Sequence, residues 1–136
     1  MIMNYKSVVV FAIAMALGMQ IDGVWIATCA KKFYETHLSA FAMNQQLKSI
    51  IPAALCFYFL MILGQMVFVH NQSHTLIEQM GWGALYGIII YGCYGLTCYA
   101  VLAQWSMLVV IFDIFSGAVL NGLIAGIIYA AYYFTK

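Results

Sequence analysis

No arginine occurs in this chain; its five basic side chains are all lysines, set against four acids and a single proline. Charged residues make up only 7 % and hydrophobic ones 66 %, which excludes a water-soluble domain, where about a quarter of residues carry charge. Without arginine, and with a formal net charge of +1, the chain has no basic surface to track phosphates, so nucleic acid is not expected as a partner. One proline and no low-complexity tract leave no room for a disordered arm. The four cysteines, Cys29, Cys56, Cys93 and Cys98, fit no zinc or haem spacing and read as small buried residues of membrane helices. No cofactor motif is present, and none is expected to be bound.

What the chain does have is long apolar runs, with a mean hydropathy of +0.98 over 136 residues. Four of them are long enough to cross a bilayer, at about 7–28, 50–69, 82–102 and 107–128. The expected fold is all-α: a polytopic membrane protein, one four-helix transmembrane bundle over residues 1–136, with the lipid bilayer as its first partner. The first span resembles a signal sequence, and Ile26-Ala27-Thr28-Cys29 hints at a lipoprotein box. Asp22 interrupts its apolar region, however, and three more spans follow, so cleavage is not expected. Ser49 reads as the N-cap of the second span, with Pro52 in its first turn.

Acids inside the spans carry the functional signal, because an ionisable group in hydrocarbon is costly and persists where it is used or paired. Asp113, Gly117, Asn121 and Ala125 recur every four residues, placing a carboxylate, a small residue and a carboxamide on one helix face. In the first span Ala14, Gly18 and Asp22 repeat that pattern, and Trp25 and Cys29 continue it. Four spans bring the end of the first, the start of the second, the end of the third and the start of the fourth to one side of the membrane. Asp22 and Asp113 then share a depth, roughly 9 Å inside that side at 1.5 Å per helical residue. Trp25, Cys98, Tyr99 and Lys48 belong to the same layer, the last by its flexible stem. If the carboxylates converge, both cannot cheaply ionise in a dehydrated site, and one holds a proton or finds a cation.

Small residues mark the packing faces: Gly18 in the first span, Gly87 and Gly95 in the third, Gly117 and the Gly122/Gly126 pair in the fourth. Gly87, Tyr91 and Gly95 share a face with Cys98 beside it, which aims tyrosine hydroxyls at the bundle. Gln104 and Trp105 make a very short turn between the last two spans. In the first connection Phe33, Tyr34, Leu38, Phe41 and Ala42 form an apolar stripe fit for a brief interfacial helix. His70, His74 and Glu78 stand at four-residue spacing, a weak metal-ligand pattern in what reads as a turn; no metal site is assigned to them. Tyr129, Tyr132, Tyr133 and Lys136 read as an interfacial anchor.

Asp22 and Trp25 followed by Ala30, Lys31, Phe33 and Tyr34, then YGCYGLTCYA at 91–100, Trp105, and Asp113 before Gly117 make the chain resemble a bacterial family of small integral membrane proteins. This is domain-of-unknown-function family twenty-one seventy-seven, and the resemblance covers almost the whole chain. It implies four membrane helices and no established reaction. The family pattern has an acid at Gly95, an asparagine at Cys98 and a tryptophan at Phe115, so part of the family's third-span polar set is absent here.

Lys31, Lys32 and Lys48 in the first connection outnumber Lys6 and Lys136 at the ends, so both termini are expected outside; the family resemblance implies a bacterial inner membrane. Three functions remain open. One is a small, oligomeric transport or binding unit whose Asp22, Asp113, Trp25, Asn121, Tyr91, Tyr99 and Lys48 hold a solute, cation, proton or lipid head group. Another is a membrane subunit or assembly factor binding a partner membrane protein through its glycine faces. The third is a lipid-modifying enzyme with the two aspartates as acid and base, and Tyr91, Tyr94 or Tyr99 as proton donors.

Overall fold

The computed structural model describes residues 4–40, 47–72 and 74–135. Among these, four helices are long and apolar enough to cross a membrane: α1 (Tyr5–His37), α2 (Lys48–Gln72), α3 (Leu76–Val101) and α4 (Met107–Phe134). The fold is all-α, as the apolar runs require. In hydrocarbon a helix satisfies its backbone hydrogen bonds internally, and no other open structure does so. Phe41, Ala42, Ser73 and Lys136 lie outside the described residues.

Each boundary differs from the hydropathy reading for a local reason. The first span does not stop near Thr28. A π-helical turn over Ile26–Ala30 carries α1 on to His37, and the expected separate interfacial helix is the last two turns of α1 itself. The π turn takes up about one extra residue, so the inward face that holds Ser7, Val10, Ala14, Gly18 and Asp22 next buries Ala30 rather than Cys29. The α-helical part of α2, Leu47–Gly64, begins one residue before the apolar span, so Ser49 and Pro52 lie inside it and Ser49 is not its cap. It ends in a π turn over Gln65–Val69 and a 3-10 turn over His70–Gln72.

Helix α3 starts six residues earlier than hydropathy indicates, because Thr75 and Glu78 close a capping box around its first turn. Hydropathy undercounts that turn, since the polar pair lowers its average. Helix α4 runs past Ile128 to Phe134, taking Tyr129, Tyr132 and Tyr133 into its last turns. The turn between α3 and α4 is as short as expected, and Gln104 pays for it with φ 70°.

Packing is strongest between α3 and α4, and glycine is the reason. A Cβ on Gly87 would stand 2.2 Å from the Gly117 carbonyl oxygen, and one on Gly83 would stand 2.6 Å from that of Asn121. The two backbones therefore touch, which gains dispersion contacts that lipid tails do not supply. Gly122 and Gly126 face Met80, again on α3, while Gly95 meets Val110 and Gly18 meets Ile124. The rest of the core is apolar, aliphatic and thioether side chains around one aromatic ring: Val10 and Ala14 of α1, Tyr58, Met61, Ile62 and Met66 of α2, and Leu120, Ile124, Ile128 and Ala131 of α4.

At the end of the bundle that holds both termini, the Tyr132 hydroxyl donates to Ser7 Oγ at 3.1 Å and its ring stacks on His70 at 4.2 Å. Cys29, Cys56 and Cys93 are exposed rather than buried, and only Cys98 is half-buried. Their place is on lipid-facing helix surfaces, where a small apolar thiol is no burden.

Candidate functional site

Asp22, midway along α1 because that helix runs on to His37 instead of ending near Thr28, and Asp113, in the second turn of α4, are both buried. They line one cavity of about 130 Å³ together with Trp25, Tyr34, Tyr91, Ser116 and Gly117. That volume is room for roughly four waters at ~30 Å³ each. The two acid-bearing faces thus converge on a common space, and it comes from the antiparallel order of the helices. Gly117 helps to shape it, because the Tyr91 ring lies against its Cα where a Cβ would stand 2.3 Å from Cδ2.

Each carboxylate accepts a hydrogen bond from a tyrosine on another part of the chain. The Tyr58 hydroxyl of α2 donates to Asp22 Oδ2, and the Tyr34 hydroxyl of α1 donates to Asp113 Oδ1. Tyr34 reaches Asp113 because the π turn at Ile26–Ala30 returns the last turns of α1 to the inward phase. An aromatic cluster fixes them there: Phe112 stacks on Phe33 at 4.2 Å and on Trp25 at 5.8 Å, and Phe33 stacks on His37 at 4.2 Å. Buried carboxylates with bound hydroxyls are less costly than bare ones, and each still has lone pairs to offer a ligand.

Beside Asp22 a second, wider space opens between α1 and α2. It measures about 540 Å³, and Asp22, Ile26, Ser49, Ile50, Ala53 and Phe57 are among its walls. Across the bundle an apolar crevice of about 150 Å³ between α1 and α4 shares Trp25 and Ser116 with the acid cavity.

Of the residues singled out in the sequence, Asp22, Trp25, Tyr91 and Asp113 meet in the cavity. Tyr99 is exposed and stands apart from it, as does Tyr94. Lys48 is exposed and lines neither space, although its neighbour Ser49 does. Asn121 is fully buried two helical turns beyond Asp113, in a separate polar cluster. There Gln65 Nε2 donates to Asn121 Oδ1 at 2.9 Å and to its carbonyl at 3.0 Å, while Asn121 Nδ2 donates to the Gly117 carbonyl at 2.8 Å.

Gln79, also fully buried, donates to the Ala125 carbonyl at 3.0 Å, and its Oε1 lies 3.0 Å from His70 Nδ1. His70 is thereby held in a 3-10 turn against Gln79 and Tyr132. His74 sits in a bend and Glu78 receives the His74 and Thr75 backbone N–H groups as a cap. The three do not form the continuous helical ladder that metal ligation would use, and among the described residues no group of three ligand-type side chains gathers.

Sequence reasoning missed Tyr34 and Tyr58 as partners of the acids, and Gln65 and Gln79 as a second cluster. A signal was present for two of them, a lone tyrosine and a lone glutamine in the apolar run of the second span; Tyr34 had none, since the π turn that brings it inward is a feature of the structure. Gln79 stood outside the span as read from hydropathy, so its burial had no signal.

Fold and site together define a class, an all-α multi-pass membrane protein with an acid-lined cavity between its helices. The family model described as "Predicted membrane protein (DUF2177)" matches residues 7–130, and the chain belongs to that family, whose function is unknown. No curated protein and no solved structure matches the chain.

Proposed function

We propose that this membrane protein binds, and in its working cycle moves, a small proton- or cation-bearing solute through the Asp22–Asp113 cavity. The observation that carries the reading is that both carboxylates face one space, each held by a tyrosine hydroxyl from a different segment of the chain. Two carboxylates in one dehydrated space repel when both are charged, so a shared proton or a cation between them lowers the energy of the site. The glycine faces that an assembly factor would offer to a partner are taken up by contacts within the chain, chiefly between α3 and α4, which weighs against that alternative. We place the membrane as a bacterial inner membrane with both termini outside. The orientation follows Lys31, Lys32 and Lys48 and puts Asp113 on the cytoplasmic side, while the choice of membrane follows the family resemblance. A homo-oligomer remains the natural working form, because four helices enclose little space alone.

Infrared difference spectra of the carboxyl groups across pH, in wild type, Asp22→Asn and Asp113→Asn, test the reading. Coupled acids show a change in the titration of the remaining carboxyl in each single variant. Independent titration of the two acids overturns the shared site.

A further inference from the structure

The composition of the walls narrows what the cavity takes. Among the described residues no lysine or histidine lines the acid cavity or the larger space beside it, so the charge they place at the junction is wholly carboxylate. An anionic head group has nothing there to neutralise it, whereas an ammonium group finds two acceptors. It also finds the rings of Trp25, Tyr34 and Tyr91, which attract a cation through their π faces. At about 130 Å³ the acid cavity holds a head group and little more.

Asp22 and Ile26 belong to both spaces, and past them the walls turn apolar: Ile50, Ala53, Ala54 and Phe57 line about 540 Å³ between α1 and α2. A ligand with its charge against Asp22 and Asp113 therefore has an open, mainly apolar groove beside its head. An inorganic cation or a small hydrophilic amine would leave that groove without a role.

We propose that the ligand class is a single-chain amphiphilic amine, its ammonium head between Asp22 and Asp113 and its hydrocarbon tail in the α1–α2 groove. This rests on the cavity being a binding site, as proposed above, and adds what it binds. The head donates N–H bonds to the carboxylate lone pairs that Tyr34 and Tyr58 leave open. The tail lies along Ala53 and Phe57. Such a ligand enters sideways from the bilayer, where its tail already resides, and needs no water-filled pore.

Trp25 lies in the cavity wall, which gives the test its readout. The purified chain in a neutral maltoside detergent is titrated with dodecylammonium, methylammonium and dodecyl sulfate, and tryptophan emission is followed in wild type and Trp25→Phe. The expected result is a saturable change with dodecylammonium that is absent in Trp25→Phe. Dodecyl sulfate produces no such change, and methylammonium needs at least about tenfold more ligand. Asp22→Asn and Asp113→Asn each weaken the response by about thirtyfold or more, as loss of one partner of a buried charge pair does. Ala53→Phe, at an exposed position that the core does not use, weakens dodecylammonium and leaves methylammonium unchanged.

An equal response to dodecyl sulfate overturns the charge selection. An equal response to methylammonium, or insensitivity to Ala53→Phe, overturns the tail groove. No response to dodecylammonium with infrared-coupled acids overturns the amine while leaving the shared site standing. Uncoupled acids bring down both.

Discussion

Replacing Gly87 by alanine tests whether backbone contact between α3 and α4 holds the bundle. The added Cβ would stand 2.2 Å from the Gly117 carbonyl oxygen, 2.7 Å from its carbonyl carbon and 2.9 Å from Asn121 Cβ. Real Cβ atoms keep at least 3.0 Å, and two of these three neighbours are backbone, which has no rotamer into which to retreat. The helices must part by about 1 Å, which loosens the Gln65–Asn121 bonds and the Tyr91 ring over Gly117. Overpacking costs about 1–3 kcal/mol, and a clash with backbone falls at the upper end. For a chain of this size that is roughly 10 °C of melting temperature, at about 4 °C per kcal/mol.

Gly23→Ala supplies the control, since a Cβ there meets nothing within 4 Å. Its stability should be unchanged or higher, because alanine loses less backbone freedom than glycine in a helix. Thermal unfolding in detergent, followed by circular dichroism, measures both variants. A Gly87→Ala protein as stable as wild type refutes the close approach of α3 and α4.

Tyr58→Phe removes the hydroxyl bound to buried Asp22 and is expected to cost about 1–3 kcal/mol. It should also shift the Asp22 carboxyl band in the infrared, and an unmoved band would refute the contact. Tyr34→Phe should do the same for Asp113 and leave the Asp22 band in place. Asn121→Ala deprives the buried Gln65 amide of its Oδ1 acceptor; a loss of about 1–2 kcal/mol on thermal unfolding is expected, with the Asp22 and Asp113 bands unaltered. Thr75→Ala opens the capping box of α3 and should cost about 1 kcal/mol. Zinc should leave the melting temperature of wild type unchanged, and a rise would restore His70, His74 and Glu78 as ligands.

The apolar runs by themselves determined the solvent, the number of spans and the all-α class. A segment of this length with so little charge has no favourable place in water, and lipid admits helices. Spacing by four also determined which faces carry acids and small residues, since helical period alone puts Asp22 with Gly18 and Asp113 with Gly117.

Sequence spacing did not determine the phase beyond Asp22, because a π turn leaves no mark in hydropathy. That turn replaces Cys29 by Ala30 on the inner face and delivers Tyr34 to Asp113. Nor did it show that Asn121, on the same face as Asp113, belongs to another cluster. Two helical turns separate them, and Gln65 reaches Asn121 from a helix whose rotation only packing fixes. Tertiary structure likewise decided what lies next to the acids. The meeting of α1 with α2 beside Asp22 creates the apolar groove, and a space between helices is a property of their arrangement rather than of either sequence.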